Sequence, residues 1–260
     1  MNYPVPSEQR ALYPSLRGRR VLVTGGGSGI GAGIVEGFVR QGARVTFFDI
    51  QEEESRALAQ RLTNGRNSGP VFQHVDLTDV AALQSAISGA IDGGGAFDVL
   101  VNNAANDDRH EIDTVTEAYW DERINVNLRH MFFAAQSVIP GMREKGAGAI
   151  VNLGSISWHL AIEKLALYQT AKAGIEGLTR ALARDLGGDG IRVTCVVPGN
   201  VRTPRQLQWF TPEGEAEIVA AQALHGRLLP EDIAAMVLFL ASDDARLVTA
   251  HEYFVDAGWR

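Results

Sequence analysis

The sequence predicts an α/β fold, a single doubly wound domain whose seven-stranded parallel sheet carries helices on both faces. Three observations lead there. Short, wholly apolar runs alternate with helix-length stretches, the pattern of strands buried on both faces and joined by crossover helices. A glycine-rich turn, Thr24-Gly-Gly-Gly-Ser-Gly-Ile-Gly31, follows the first apolar run and opens the first helical pattern. No internal repeat, low-complexity tract or composition shift marks a linker within the 260 residues, a length that one large domain can fill.

Residues 1–18, with prolines at 4, 6 and 14, read as an irregular N-terminal arm, and 19–260 as the domain. The first strand, Arg20–Thr24, is carried by Val21-Leu22-Val23 and runs through the glycine turn into a helix at 29–41. The second, Arg44–Phe48, closes on Phe47-Phe48-Asp49 and precedes a helix at 52–63. Strands at Val71–Val75 and Asp98–Val101 flank a helix at 79–92, and one long helical pattern covers 117–145. Ala149–Asn152 leads to a helix at 165–187, and Arg192–Val197 is the sixth strand. Residues 200–228 contain no strand and are expected to cover the sheet edge as a substrate-covering segment. A helix at 230–241 and a strand at Tyr253–Val255 complete the pattern.

Composition removes several function classes. With 31 acidic against 24 basic residues the net charge is −7, so no field gathers phosphate backbones and no nucleic-acid partner is expected. The single cysteine, Cys195, excludes an intrachain disulfide framework and a multi-cysteine zinc site. His110 and His159 lack metal-ligand spacing with any partner, so no metal is expected. Met1–Arg10 lacks the apolar core of a signal peptide. Apolar runs such as Ala234–Ala241 fall far short of the ~18 residues of a membrane helix. A cytoplasmic protein without a membrane partner is the expectation. The 28 glycines exceed the usual ~7%.

A strand, a glycine-rich turn and a helix form a phosphate cradle, because absent side chains let the backbone approach a pyrophosphate and the helix N-terminus supplies N–H groups. No Gly-Lys-Ser/Thr follows, which argues against a Walker-type loop. Asp49, eighteen residues beyond Gly31, can accept hydrogen bonds from both adenosine ribose hydroxyls and would repel a 2′-phosphate, favouring NAD. The plainer alternative is a turn aspartate capping the helix at 52. Asp76 sits where adenine would lie, with helix capping as the plainer alternative. Tyr168 and Lys172 stand four apart in a helical pattern and share a face. An ammonium about 5 Å from a phenolate, at an effective dielectric of ~20, stabilises it by roughly 3 kcal/mol. That is about 2 pKa units, so Lys172 is expected to bring Tyr168 toward working pH as a base. Ser155, just beyond the fifth strand, could orient a substrate oxygen or merely cap a helix. Asn127 could bend its helix and hold a relay water, or be an ordinary satisfied core amide.

Taken together, Thr24-Gly-x-x-x-Gly29-x-Gly31, Asn102-Asn103-Ala104, Asn127, Ser155, Tyr168-x-x-x-Lys172 and Pro198-Gly199 resemble the short-chain dehydrogenase/reductase family, in order across residues 18–258. The resemblance implies a Rossmann-type domain, an NAD cofactor and a homotetramer. It implies Tyr168 as general acid/base, and Lys172 as the residue that holds the nicotinamide ribose and depresses the tyrosine pKa. Ser155 would stabilise the reacting oxygen, and Asn127 would support a proton relay. It further implies a cofactor surface of Gly25, Ser28, Gly29, Ile30, Gly31, Asp49, Asp76, Leu77, Asn103, Ala104, Tyr168, Lys172, Pro198, Gly199, Val201 and Thr203, the last at the carboxamide. Two departures are visible: Ala105 stands for the usual glycine after Asn-Asn-Ala, and Gly154 for the usual serine before Ser155.

Around the expected substrate lie Asn106-Asp-Asp-Arg-His110, Trp158, His159, Gln169, Asn200 and Arg202. Such donors, acceptors and an indole face suit a polyhydroxylated ligand better than a steroid or acyl chain. The segments 106–110, 119–131, 154–159 and 210–215, with the ending 251–260, resemble the NAD-dependent aldose (D-xylose) 1-dehydrogenases of bacteria within that family. This likeness implies oxidation of an aldopyranose at C1 to the lactone, with Asn106, Ser155, Trp158, His159, Tyr168, Gln169, Asn200 and Arg202 about the sugar. Oxidation of a sugar acid's secondary alcohol, its carboxylate held by Arg109 or Arg202, is the alternative within enzymes; a non-catalytic NAD-binding protein is the alternative outside them. The helix at 165–187, Tyr253–Trp259 and Arg260 are the expected subunit contacts.

Overall fold

The computed structural model describes residues 6, 9–63, 69–207 and 211–259. Pro4 of the arm, Phe210 and Arg260 lie outside the described residues. One sheet holds seven parallel strands in the order β3-β2-β1-β4-β5-β6-β7. They are β1 Arg20–Thr24, β2 Arg44–Asp49, β3 Val71–His74, β4 Val99–Asn102, β5 Gly148–Leu153, β6 Ile191–Pro198 and β7 Glu252–Val255. The helices are α1 Gly29–Arg40, α2 Glu52–Leu62, α3 Val80–Gly94, α4 Glu117–Ile124, α5 His130–Lys145, α6 Ala166–Leu186, α7 Pro204–Leu207, α8 Pro212–Ala221 and α9 Pro230–Ala241. The expected seven-stranded parallel sheet is borne out.

Strand side chains alternate between faces, and here both faces are buried. Val21 and Val23 of β1 pack with Ile34 and Phe38 of α1 and Val237 of α9. Leu22 between them packs with Leu83 and Ile87 of α3, Val138 of α5 and Leu186 of α6. This explains the uninterrupted apolar runs.

Several strand ends differ from expectation by one residue, and three differences have a local reason. The fourth strand begins at Val99, because the Asp98 carboxylate accepts from the Arg20 amide (2.7 Å) and Lys145 Nζ (2.8 Å) and so ends the preceding turn. The single helix expected at 117–145 is interrupted by a π-turn at Asn125–Arg129, where the Asn127 side chain donates to the Arg123 carbonyl (2.9 Å). Residues 200–228 form α7 and α8 and return to their starting point, with Val201 and Leu228 paired as an isolated bridge.

The strand order reverses between β1 and β4, so the connections leaving their carboxyl ends diverge and open a crevice. Among the described residues no helix is long and apolar enough to cross a membrane, and no cluster of side chains is suited to a metal ion.

Candidate active site

The glycine turn lines one side of that crevice. The Gly25 and Gly26 amides donate to the Phe48 carbonyl (2.7 and 3.2 Å), tying the turn to β2. Gly25 and Gly29 adopt φ of +64° and +52°, the left-handed region that favours glycine. A Cβ on Gly31 would stand 1.8 Å from the Gly25 carbonyl oxygen, and one on Gly25 would stand 2.6 Å from Ala104 Cα. The turn therefore closes only without side chains. Ser28 flanks α1 without capping it through its own side chain, and Ile30 follows in the first turn. Asn103 donates its side-chain amide to the carbonyls of Thr24 (3.1 Å) and Gly25 (2.7 Å), while the Asn103 and Ala104 backbone amides meet Thr24 Oγ1.

Asp49 is buried at the end of β2 and accepts from the Gly27 amide (2.7 Å) and the Gln51 amide (2.9 Å). It thus braces both the glycine turn and the entry to α2. Asp76 is exposed and binds Thr78 through its amide and hydroxyl; Asp79 caps α3 instead, accepting from the Ala82 amide (3.0 Å). Leu77 is buried beside it. Pro198 ends β6, Gly199 donates to Val255, Val201 is buried, and the Thr203 methyl lies 3.2 Å from where a Gly29 Cβ would sit. The structure thus gathers these residues at the carboxyl edge of the sheet.

Thr24, Asn102 and Asn152 lie level on β1, β4 and β5. Asn102 donates to Asn152 Oδ1 (2.9 Å), and Asn152 donates to Thr179 Oγ1 of α6 (2.9 Å). This buried amide ladder fixes α6 against the sheet and delivers Tyr168 and Lys172 to its edge. Lys172 is 2% exposed and donates to the Leu153 carbonyl (2.8 Å), with Nζ 5.4 Å from the Tyr168 ring centre. Burial lowers its pKa to about 8. The Ser155 hydroxyl bonds the Tyr168 phenol and also accepts from the Ser157 amide (3.1 Å).

The expected depression of Tyr168 by Lys172 is not found within the protein. Burial, and then the negative charge of Asp107, push the phenol above its ordinary value; the Ser155 hydrogen bond and the Arg205 charge oppose them. Lys172, its own pKa lowered to about 8, is already neutral where the raised phenol titrates, which explains its small influence.

Asn127 is fully buried, and all its side-chain groups are engaged. It donates to the Asn106 and Arg123 carbonyls (3.0 and 2.9 Å) and accepts from the Asn106 amide (2.8 Å), so it anchors the β4–α4 loop. Sequence reasoning missed His130, buried with Nε2 on the Ala104 carbonyl (3.1 Å) and held neutral by burial, its pKa lowered to about 4. It also missed Arg205. The position of a histidine in a helix carries no signal of this kind, whereas Arg205 was legible only as a cation in the covering segment.

The expected sugar contacts make contacts within the protein. Trp158 Nε1 and His159 Nε2 both lie 3.0 Å from one Glu176 oxygen, their rings stacked 3.8 Å apart. Gln169 donates to the Ile162 carbonyl. Asn200 accepts from Arg227, which also pairs with Glu215 (2.9 Å), the carboxylate nearest Arg202 (3.9 Å). Arg109 donates to the Glu163 carbonyl (3.0 Å). Beside His159, with Phe254, Asp256 and Gly258, lies a cavity of about 430 Å³. Gly154 has a local explanation: a Cβ there would approach Cys195 Sγ to 3.0 Å and Val197 Cγ2 to 3.2 Å.

Comparison with known proteins accords with this geometry. A family described as Enoyl-(Acyl carrier protein) reductase matches residues 25–260. The chain is 64% identical over 250 residues to a D-xylose 1-dehydrogenase of Caulobacter vibrioides, covering 96% of this chain and 99% of that one. It is 47% identical over 255 residues to the Rhizobium meliloti protein described as "Probable galactose dehydrogenase GalD", covering 98% of each. A short-chain type dehydrogenase/reductase from Mycobacterium ulcerans superposes with a TM-score of 0.89 at 27% identity, covering 94% of this chain and 90% of that one. By sequence and by fold, this chain belongs to the short-chain dehydrogenase/reductase family.

Proposed function

We propose that this protein oxidises the anomeric hydroxyl of an aldopyranose, D-xylose or a close relative, to the lactone with NAD as hydride acceptor. The observation that carries the substrate class is the 64% identity to a D-xylose 1-dehydrogenase across nearly the whole of both chains. The glycine turn supports a nicotinamide dinucleotide: it closes tightly only because it lacks side chains, and it leads into the N-terminus of α1, whose free N–H groups suit a pyrophosphate. Asp49 supports NAD in particular: the carboxylate that braces the glycine turn would also accept from the ribose hydroxyls and would repel a 2′-phosphate. When bound, NAD would supply the hydride acceptor.

The chain's own residues handle the proton. Ser155 donates its one hydroxyl proton to the anomeric oxygen, and Tyr168 Oη removes the anomeric hydroxyl proton as C1 gives up its hydride. Because burial holds the phenol above its ordinary value, oxidation speeds up as pH rises. Lys172 sits beside the ring as the cation nearest it on α6. The segment 200–228, carrying α7 and α8, covers the sugar. Arg109 donates to the Glu163 main-chain carbonyl and Arg202 lies 3.9 Å from the Glu215 carboxylate, so the aldose reading rests on the relatives rather than on these two cations. The implied homotetramer would cover Trp120 and Phe132, 45% and 42% exposed on α4 and α5, and a cytoplasmic placement completes the reading.

The test is NADH formation by the purified protein with D-xylose, other aldoses, sugar acids and polyols, NADP being run in parallel and Tyr168→Phe as control. Turnover of an aldose with NAD, lost in Tyr168→Phe, is expected. Turnover confined to sugar acids overturns the substrate class, and faster turnover with NADP overturns the role of Asp49.

A further inference from the structure

We propose that Arg205 is a positioning residue for this oxidation, latching α7 onto the β4–α4 loop beside Tyr168 and so fixing where the sugar lies. The inference rests on the aldose reading above. From α7, the guanidinium donates to Asn106 Oδ1 (3.0 Å) and Asp108 Oδ1 (2.6 Å), and its Nε lies 3.0 Å from Asp107 Oδ1. Gln206 adds a bond to Asp107 Oδ2 (3.2 Å). The loop it grips is itself held from below: Asn127 binds the Asn106 backbone on both sides, and buried Arg123 reaches Asp108 Oδ2 (3.2 Å). The other end of α7 follows Thr203, whose methyl lies against the glycine turn. Arg205 therefore joins the cofactor side of the crevice to the tyrosine side.

An exposed ion pair contributes little by itself. One planar guanidinium shared by three acceptors is different, because its fork fixes orientation as well as distance. The latch is also electrically coupled to the reaction. The groups that bear on Tyr168 are Asp107 from the loop, Arg205 from α7, Ser155 beyond β5 and Lys172 from α6. His110 lies behind, accepting from the Leu167 amide (3.4 Å). Asp107 raises the proton affinity of the phenol, and Arg205 lowers it.

The experiment compares wild type with Arg205→Ala, Arg205→Lys and Asp107→Asn by two readouts: hydrogen exchange of the α7 and α8 amides, and the pH dependence of kcat and kcat/KM with D-xylose. Arg205→Ala is expected to speed exchange in α7, to raise KM about tenfold and to move the rising limb of the pH profile to higher pH. Arg205→Lys restores the limb, but KM only in part, since an ammonium lacks the fork. Asp107→Asn moves the limb to lower pH. Unchanged exchange in Arg205→Ala, or limbs that move together or stay fixed in the two variants, overturns the latch. If the wild type oxidises no aldose the sugar reading fails separately, and the exchange rates still decide the latch.

Discussion

Replacing Lys172 by methionine should abolish oxidation and, at the same time, change how stability depends on pH. Lys172 is 2% exposed, and its pKa falls from 10.5 to about 8 on folding because burial disfavours the ammonium. Below pH 8 the group is charged in both states, and the fold bears the whole burial penalty. Between about 8 and 10.5 the folded chain has released the proton while the unfolded chain retains it, so the penalty fades as pH rises. A displacement of that size corresponds to about 3 kcal/mol, most of which is recovered between pH 7 and 10. The methionine variant carries no such penalty and recovers nothing. It does strand the Leu153 carbonyl, at a cost of about 1–3 kcal/mol, so the two proteins should differ little in stability at pH 7. Urea denaturation at fixed protein concentration at pH 7, 8, 9 and 10 measures the difference. Wild type should gain on the variant by about 2–3 kcal/mol over that range. Parallel stability curves would refute the assignment of a buried, strained ammonium.

Asp49→Asn removes the carboxylate from the ribose, and the preference for NAD over NADP in kcat/KM should fall about 10–100-fold; an unchanged ratio would take Asp49 out of cofactor choice. Gly31→Ala drives a Cβ onto the Gly25 carbonyl, which is backbone and cannot swing away. Its Tm should drop by at least about 4 °C, with NAD binding lost in calorimetry; a variant that binds NAD normally would show that the turn has slack. Gly154→Ser should destabilise by about 1–2 kcal/mol through its contact with Cys195. In a Cys195→Ala background most of that cost should vanish, so a double-mutant cycle with coupling below about 0.5 kcal/mol would dismiss the contact.

The glycine turn and the carboxylate that braces it were legible in the sequence because their requirements are local. A turn that admits no Cβ at Gly25 or Gly31 must be written in glycine, and a carboxylate at the end of β2 must follow the strand by a fixed count. The sheet was legible for a similar reason, since strands buried on both faces leave runs such as Val21-Leu22-Val23. The substrate half was not. Trp158, His159, Gln169, Asn200 and Arg202 all have polar tips near the site, yet each found a protein partner on another element, Glu176 or Glu215 among them. Those partners are distant in sequence, and no spacing rule announces them. The π-turn escaped for the same reason: α4 and α5 have one continuous helical pattern, and the break depends on a side-chain amide reaching the Arg123 carbonyl. The pKa of Tyr168 was misjudged because a charge four residues away is visible in sequence, whereas burial is not.

That error reveals how the site is built. The phenol and the ammonium share one helix face, and burial pushes their proton affinities in opposite directions, Tyr168 up and Lys172 down. Each shift favours the neutral form of its group, so the folded protein holds a phenol and a weakened ammonium rather than a ready-made phenolate. Environments that shift two titratable groups this way are the usual mark of an acid–base site. The protein's own contribution to lowering the tyrosine comes from Ser155 and Arg205, both on segments that border the sugar position, and the opposing contribution comes from Asp107 on the loop that Arg205 grips. The proton affinity of the phenol is thus set by groups on three separate segments, Asp107 beyond β4, Ser155 beyond β5 and Arg205 on α7, and a change of charge at Asp107 or Arg205 moves it in opposite directions.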